Sequence, residues 1–283
     1  MARGKLDVAL GVLILATSVH CNASEVADAQ TTKAAARTRS AAAAVTRGEP
    51  DYSGWTALLK KHYDERRGMN YRGLKADMAA LQQLRQRLAA VDVASLNRDQ
   101  QLAYWINLYN VNVAAIVAEK YPVDSIRDLS TDPIRRLNIF DKKLVPFGNG
   151  KISLNEIEHE RIRKSFQEPR IHFAINCAAA SCPPIRGAGA FTGAQLHAQL
   201  DEQTSKFLNG PNGVRITKSN GTTTVETTKI MDWFGEDFDK WGGGRLPFIR
   251  KYLTGQRRAA LDAAGGKARL TYADYDWKLN DAR

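Results

Sequence analysis

Residues 99–121 constrain this chain more than any other stretch, because the helix their spacing predicts is apolar on almost every side. Leu102, Trp105, Ile106, Tyr109, Val113, Ile116 and Val117 recur at helical intervals on one face, and Tyr104, Leu108, Val111 and Ala115 make the remainder apolar too. A helix with no polar face has no side to turn to water, so it must be central, with other elements packed around it. Asn107, Asn110 and Asn112 then stand in an apolar setting, where each amide needs hydrogen-bond partners.

The flanking sequence supplies those other elements. Helical spacing predicts a short helix over 55–63 and a longer one over 73–91, with Leu74, Met78, Leu81, Leu84 and Leu88 on one face. Asn155 and Glu158 have the spacing of a capping box for a helix over 155–164, and Thr192 with Gln195 has it for one over 192–208. A short helix is expected over 246–253. Residues 144–147 and 152–154 read as a hairpin across Gly148-Asn149-Gly150, and 214–218 with 222–228 as another across Asn220-Gly221. The run 170–177 reads as a buried strand and 269–277 as a final strand. Helices gather early and strands later, which gives an α+β class with N-terminal helices packed on an antiparallel or mixed β-sheet.

The N-terminus reads as a targeting segment. Arg3 and Lys5 precede an apolar run over 6–19, followed by small residues over 23–29, the layout of a secretory signal peptide. Cleavage after Ala23 or Ala29 would remove His20 and Cys21. Residues 30–49, mostly Ala, Thr, Ser, Lys and Arg, can bury little and read as a flexible leader. Residues 50–283 are then one domain. No other stretch approaches the roughly 20 apolar residues of a membrane span. The expected address is the periplasm or the exterior, with no transmembrane segment after signal removal. The net charge of +11, from 41 basic and 30 acidic residues, is dispersed along the chain. No basic patch interleaved with aromatics appears, which argues against nucleic acid as a partner.

Reactive residue types concentrate in 171–184, which holds His172 and both cysteines left after cleavage, Cys177 and Cys182. On a strand, alternation would place His172 and Asn176 on one face and end the strand at Cys177. A turn starting at Ala178-Ala179-Ala180 would offer free amides to the Cys177 thiolate. The base such a nucleophile needs would be His159 or His172, oriented by Glu158 or Asn176. Glu156 and Arg163 flank His159 one turn to either side. Plainer readings stand beside this one. In an oxidising compartment Cys177 and Cys182 form a disulfide, Glu158 only completes its cap, and the histidines are a surface and a satisfied strand residue. His159, His172, Cys177 and Cys182 are also zinc-ligand types, but their spacing matches no zinc signature, so no metal and no cofactor is expected. His62 and His197 read as surface residues. The acid-and-aromatic runs 232–238 and 275–280 read as core and domain edge, or as the lining of a cleft.

Five ordered motifs, at residues 104–110, 152–159, 172–184, 232–234 and 275–277, resemble the family called domain of unknown function 547 over nearly all of 50–280. The family pattern includes the Asn-x-x-Asn helix, Glu158-His159, His172, Cys177 and Cys182, and the chain departs from it at none of these. Such domains look like distant relatives of papain-like thiol hydrolases, which set Cys, His and a polar orienter between a helix and an antiparallel sheet. Here the cysteines follow the histidines and Asn107 occupies the central helix, so that relation implies a rearranged or lost site. The expectation is an exported thiol-dependent hydrolase or transferase acting on an amide, peptide or thiol-peptide substrate. Cys177 is the nucleophile with Cys182 as alternative, and Asn107 or Asn110 presents an amide to an oxyanion. The rival expectation is a non-catalytic envelope ligand-binding domain with a Cys177–Cys182 disulfide.

Overall fold

The helix expected over 99–121 is present as Arg98–Lys120, and every residue from Leu102 to Ala118 is buried. Its N-terminus is closed reciprocally: Gln100 N–H donates to the Asn97 side chain, and Asn97 N–H donates to the Gln100 side chain. The computed structural model describes residues 48–130 and 138–282. The expected signal peptide and most of the expected leader lie outside the described residues.

In chain order the elements are α1 (Ser53–His62), β1 (Tyr63–Asp64), β2 (Gly68–Met69), α2 (Tyr71–Ala76), α3 (Met78–Ala89) and α4, the central helix. The single helix expected over 73–91 divides at Asp77, whose carboxylate meets Lys61 Nζ at 2.7 Å and His62 Nε2 at 2.6 Å. The hairpin β3 (Val145–Phe147) and β4 (Gly150–Ile152) follows. A π-helical segment, Glu156–Arg163, comes next, and after it a 3₁₀ segment, Pro169–Phe173, and α5 (Leu196–Leu208). β5 (Arg215–Ser219) pairs antiparallel with β6 (Thr222–Thr227) across Asn220 (φ 48°) and Gly221 (φ 77°), the positive-φ turn that Asn-Gly favours. Four helices, α6 (Ile230–Trp233), α7 (Gly235–Trp241), α8 (Arg245–Tyr252) and α9 (Gly255–Ala263), precede β7 (Arg269–Tyr272). β7 pairs parallel to β6, so the three-stranded sheet is mixed.

The class is therefore α+β, but the main sheet does not carry the central helix. α4 packs against α2, α3, the π segment and α5 in a core with Leu74, Leu81, Leu84 and Leu88. The sheet contributes Val225 to a second core with Phe207, Phe238, Phe248 and Ile249, and β5 packs against α9. Each fully buried Leu or Phe in these cores contributes about 1.5–3 kcal/mol. Among the described residues no helix is long and apolar enough to cross a membrane.

Three expectations need correction because they bear on the site. Residues 170–177 are not a strand. Pro169 opens a 3₁₀ turn that the Glu168 side chain caps at Arg170 N–H, and an apolar run alone does not separate a strand from a buried turn. The alternation that paired His172 with Asn176 therefore does not apply. The capping box before the π segment is Ser153 with Glu156, not Asn155 with Glu158: Glu156 N–H donates to Ser153 Oγ at 3.0 Å and Ser153 N–H to Glu156 Oε2 at 2.6 Å. The last strand ends at Tyr272, and the chain beyond it runs irregularly against the Cys177–Cys182 loop.

Candidate active site

Shifting the cap to Ser153 and Glu156 releases Glu158 from the helix end. It points inward and is buried, beside half-buried His159. π-Helical turns are wider than α turns and cluster at functional sites. Here the segment turns Glu158, His159 and Arg163 toward one region. Arg163 donates to Asp237 through Nε at 2.6 Å and Nη2 at 2.8 Å, and its Nη1 lies 3.0 Å from His159 Nδ1.

The 3₁₀ turn delivers His172 to the same carboxylate. His172 Nε2 sits 2.7 Å from Asp237 Oδ2, and its ring stacks on Phe234 with centroids 4.1 Å apart. Burial opposes charge on Asp237, yet hydrogen bonds from His172 and Arg163 hold its carboxyl well below the usual carboxylate range. Burial in turn pushes the His172 imidazole down, despite Asp237. With Asp237 ionised and His172 neutral, the proton lies on Nε2 and the lone pair on Nδ1. Burial raises Glu158 to about 7; Arg163 opposes the shift, Asp237 adds to it, and Tyr109 donates a hydrogen bond to the carboxylate.

Cys177 and Cys182 are both free thiols, with their sulfur atoms 2.8 Å apart. The expected disulfide is not formed. The loop between them is held at several points. Ala178 N–H donates to Asn176 Oδ1 at 2.8 Å and places Ala178 at φ 63°, a left-handed conformation that costs a non-glycine residue about 1–2 kcal/mol. Ala180 and Ser181 N–H donate to the carbonyls of Lys278 and Asp276, and Asn280 N–H donates to Ala178 O. This clasp brings Tyr275 alongside, with its hydroxyl 3.0 Å from Cys177 Sγ. A hydrogen bond from Cys182 lowers the Cys177 thiol against the cost of burial, with help from Tyr275 and the Ala179 amide. Burial, then the hydrogen bond and charge of Cys177, push the Cys182 thiol up. The pair is thus asymmetric, with Cys177 the more acidic thiol and Cys182 the less acidic.

Glu158, His159, His172, Cys177, Cys182 and Tyr275 line one cleft of about 150 Å³, together with Tyr109, Phe140, Asn155, Ile175, Ile230, Trp233, Phe234 and Trp277, while Arg163 and Asp237 stand behind it. That is space for about five waters, at roughly 30 Å³ each. Trp233 is 47% exposed and forms the lip with Tyr275 and Trp277 at centroid distances of 4.8 and 5.9 Å. Four aromatics of the two acid-and-aromatic runs, Trp233, Phe234, Tyr275 and Trp277, therefore line a cleft, while Phe238 lies in the second core.

Glu158, His159, His172, Cys177 and Cys182, all singled out in the sequence, converge here. Among the described residues neither imidazole hydrogen-bonds to either sulfur, so the expected cysteine–histidine contact is not made. Asn107, Asn110 and Asn176 are not presented to the cleft. Asn107 clamps Phe191, donating to its carbonyl at 2.7 Å and accepting from its N–H at 3.0 Å. Asn110 bridges Ala174 O and Asn176 N–H, and Asn176 donates to Pro183 O. These amides are spent on backbone and, for Asn176, also on the Asn280 side chain, and Asn176 orients no histidine. The carboxylate that meets His172 is Asp237, and among the described residues neither Glu158 nor Asn176 is hydrogen-bonded to that histidine. Asp237 and Tyr275 lie in motifs visible in the sequence, but 65 residues separate Asp237 from His172 and 98 separate Tyr275 from Cys177. Among the described residues no three His, Cys, Asp or Glu side chains form a group that could hold a metal ion.

No curated protein and no solved structure matches the chain. The model of the family described as "Protein of unknown function, DUF547" matches residues 93–208, a span that ends before Asp237 and Tyr275. Residues 93–208, which hold the central helix, Glu158-His159, His172 and both cysteines of the cleft, belong to the domain of unknown function 547 family.

Proposed function

We propose that the protein is an exported thiol-dependent hydrolase or transferase acting on an ester, amide or peptide carbonyl small enough for the cleft. The observation that carries this reading is a Cys177 thiol in contact with Cys182 and Tyr275, which lower its pKa, in the same cleft as an Asp237-anchored His172. Cys177 Sγ attacks the carbonyl carbon and gives a tetrahedral intermediate. Glu158, protonated up to about pH 7, gives its proton to the leaving group as the carbon–heteroatom bond breaks. His172 Nδ1 then takes a proton from water or an acceptor amine, which attacks the thioester and releases Cys177. In this reading the roles resemble those of papain-like thiol hydrolases. The layout differs, since Cys177 follows a 3₁₀ turn and the central helix carries no cysteine.

The test uses an activated aryl ester and the matching anilide. Wild-type protein is expected to show a burst of about one product per chain, as covalent catalysis requires. Cys177→Ser is expected to abolish it, and Asp237→Asn to lower turnover by about 10²–10⁴-fold. Undiminished turnover in Cys177→Ser would remove the reading.

A further inference from the structure

Cys182 lines a second and larger cleft as well as the first. That cleft, about 580 Å³, is bordered by Cys182, Tyr63 and Asn212, by the cations Arg66, Arg67 and Lys206, and by the acids Glu65 and Asp281, which leave it with one net positive charge. The two cysteines are therefore placed differently: Cys177 borders only the small aromatic cleft, while Cys182 borders both. Of the three cations, Lys206 is paired with Glu65 and Arg67 donates to Ala282 O, while the Arg66 guanidinium has no hydrogen-bond partner among the described residues.

We propose that Cys177 and Cys182 are a redox-active dithiol, which reduces a peptide disulfide at the aromatic cleft and is itself reduced by a small carboxylate-bearing thiol peptide at the basic cleft. The proposal shares Cys177 with the hydrolytic reading but not its acyl chemistry. In the first half, Cys177 thiolate attacks one sulfur of the substrate disulfide, the S–S bond breaks, and one substrate thiolate leaves to be protonated by solvent. Cys182 then loses its proton and attacks Cys177 Sγ. The mixed disulfide breaks, the second substrate thiolate leaves with a proton, and two electrons have passed from the pair to the substrate. Once Cys177 is in a mixed disulfide, its charge no longer holds the Cys182 proton in place, so the second attack becomes easier.

In the second half, a thiolate from the basic cleft attacks Cys182 Sγ and expels Cys177. Cys177 is the better leaving group, because a thiol of lower pKa leaves faster. A second equivalent of the thiol attacks the Cys182 mixed disulfide, frees Cys182 and carries off the two electrons' worth of oxidation as its own disulfide. Arg66 and Arg67 stand where the carboxylates of such a thiol would lie.

Glutathione and 2-mercaptoethanol are the probes. Equilibrated across ratios of reduced to oxidised glutathione, the protein is expected to pass between a form with two alkylatable thiols and one with none. Two free thiols at every ratio, or a disulfide that millimolar glutathione never opens, would overturn the proposal. Quenched during reduction, the oxidised protein is expected to carry glutathione on Cys182; glutathione on Cys177 would overturn the direction. Arg66→Glu with Arg67→Glu is expected to slow reduction by glutathione about tenfold at low salt and leave the 2-mercaptoethanol rate unchanged. Equal rates with glutathione in both proteins would overturn the carboxylate-bearing class. Aryl-ester turnover is read separately, so loss of either activity leaves the other interpretable.

Discussion

The buried polar groups of the central helix and those of the cleft began as the same kind of oddity, and they do opposite things. On α4 every amide closes on protein: Asn107 on Phe191, Asn110 on Ala174 and Asn176, and Asn112 on Arg85 and Leu108. In the cleft, Glu158, His172 and the two cysteines are titratable, and burial shifts Glu158 and His172 away from their solution values. A buried amide whose hydrogen bonds all end on protein fixes a shape. A buried acid, base or thiol with a shifted affinity for protons holds a proton where chemistry can use it. Of the α4 asparagines, Asn110 positions the loop that the cleft is made from, by holding both ends of Ala174 to Asn176.

The sharpest way to break this contrast is Asn110→Ala. It strands the Ala174 carbonyl and the Asn176 amide together, each costing about 1–3 kcal/mol, so urea unfolding is expected to report a loss of about 3 kcal/mol. If Asn110 instead served the chemistry, stability would hold while turnover fell.

Glu158 should behave in the reverse sense. Native Glu158 keeps its proton up to about pH 7, against 4.5 for an ordinary glutamate. Between those values the folded chain binds more protons than the unfolded one. The stability linked to this group is therefore complete below pH 4.5 and is lost as pH rises through 7, by about 3 kcal/mol. Unfolding of wild type against Glu158→Gln at pH 4.5 and pH 8 is expected to show the variant gaining on wild type by that amount. A constant difference would mean that Glu158 is an ordinary carboxylate.

The smallest effect belongs to Tyr275. A hydrogen bond to a charged acceptor contributes about 1.5 kcal/mol, so Tyr275→Phe is expected to slow iodoacetamide alkylation of Cys177 near neutral pH about tenfold. Folding stability should change little, since the Tyr275 ring remains packed between Trp233 and Trp277.

Much of this was legible in the chain. The central helix was, because apolarity on all sides has one structural solution, and so was the Asn220-Gly221 hairpin, because a two-residue turn needs positive φ and Asn-Gly supplies it. The five reactive residues of the cleft were visible as residue types close together in sequence. Their partners were not. Ser153 outcompeted Asn155 for the helix start, a choice between two good caps two residues apart, and that choice decides whether Glu158 faces solvent or interior. Pro169 and Glu168 turned a run that looks like a strand into a 3₁₀ turn.

By itself, then, the sequence determined which segments must be buried and which residue types could react, because periodicity, turn chemistry and side-chain acidity are local properties. Only the tertiary structure decided that Asp237 anchors His172, that Tyr275 reaches Cys177, and that the two sulfurs meet at 2.8 Å with unequal acidity. The reason is physical. Hydrogen bonds and proton affinities depend on ångström distances and on the exclusion of water, and those are set by which distant segments pack together.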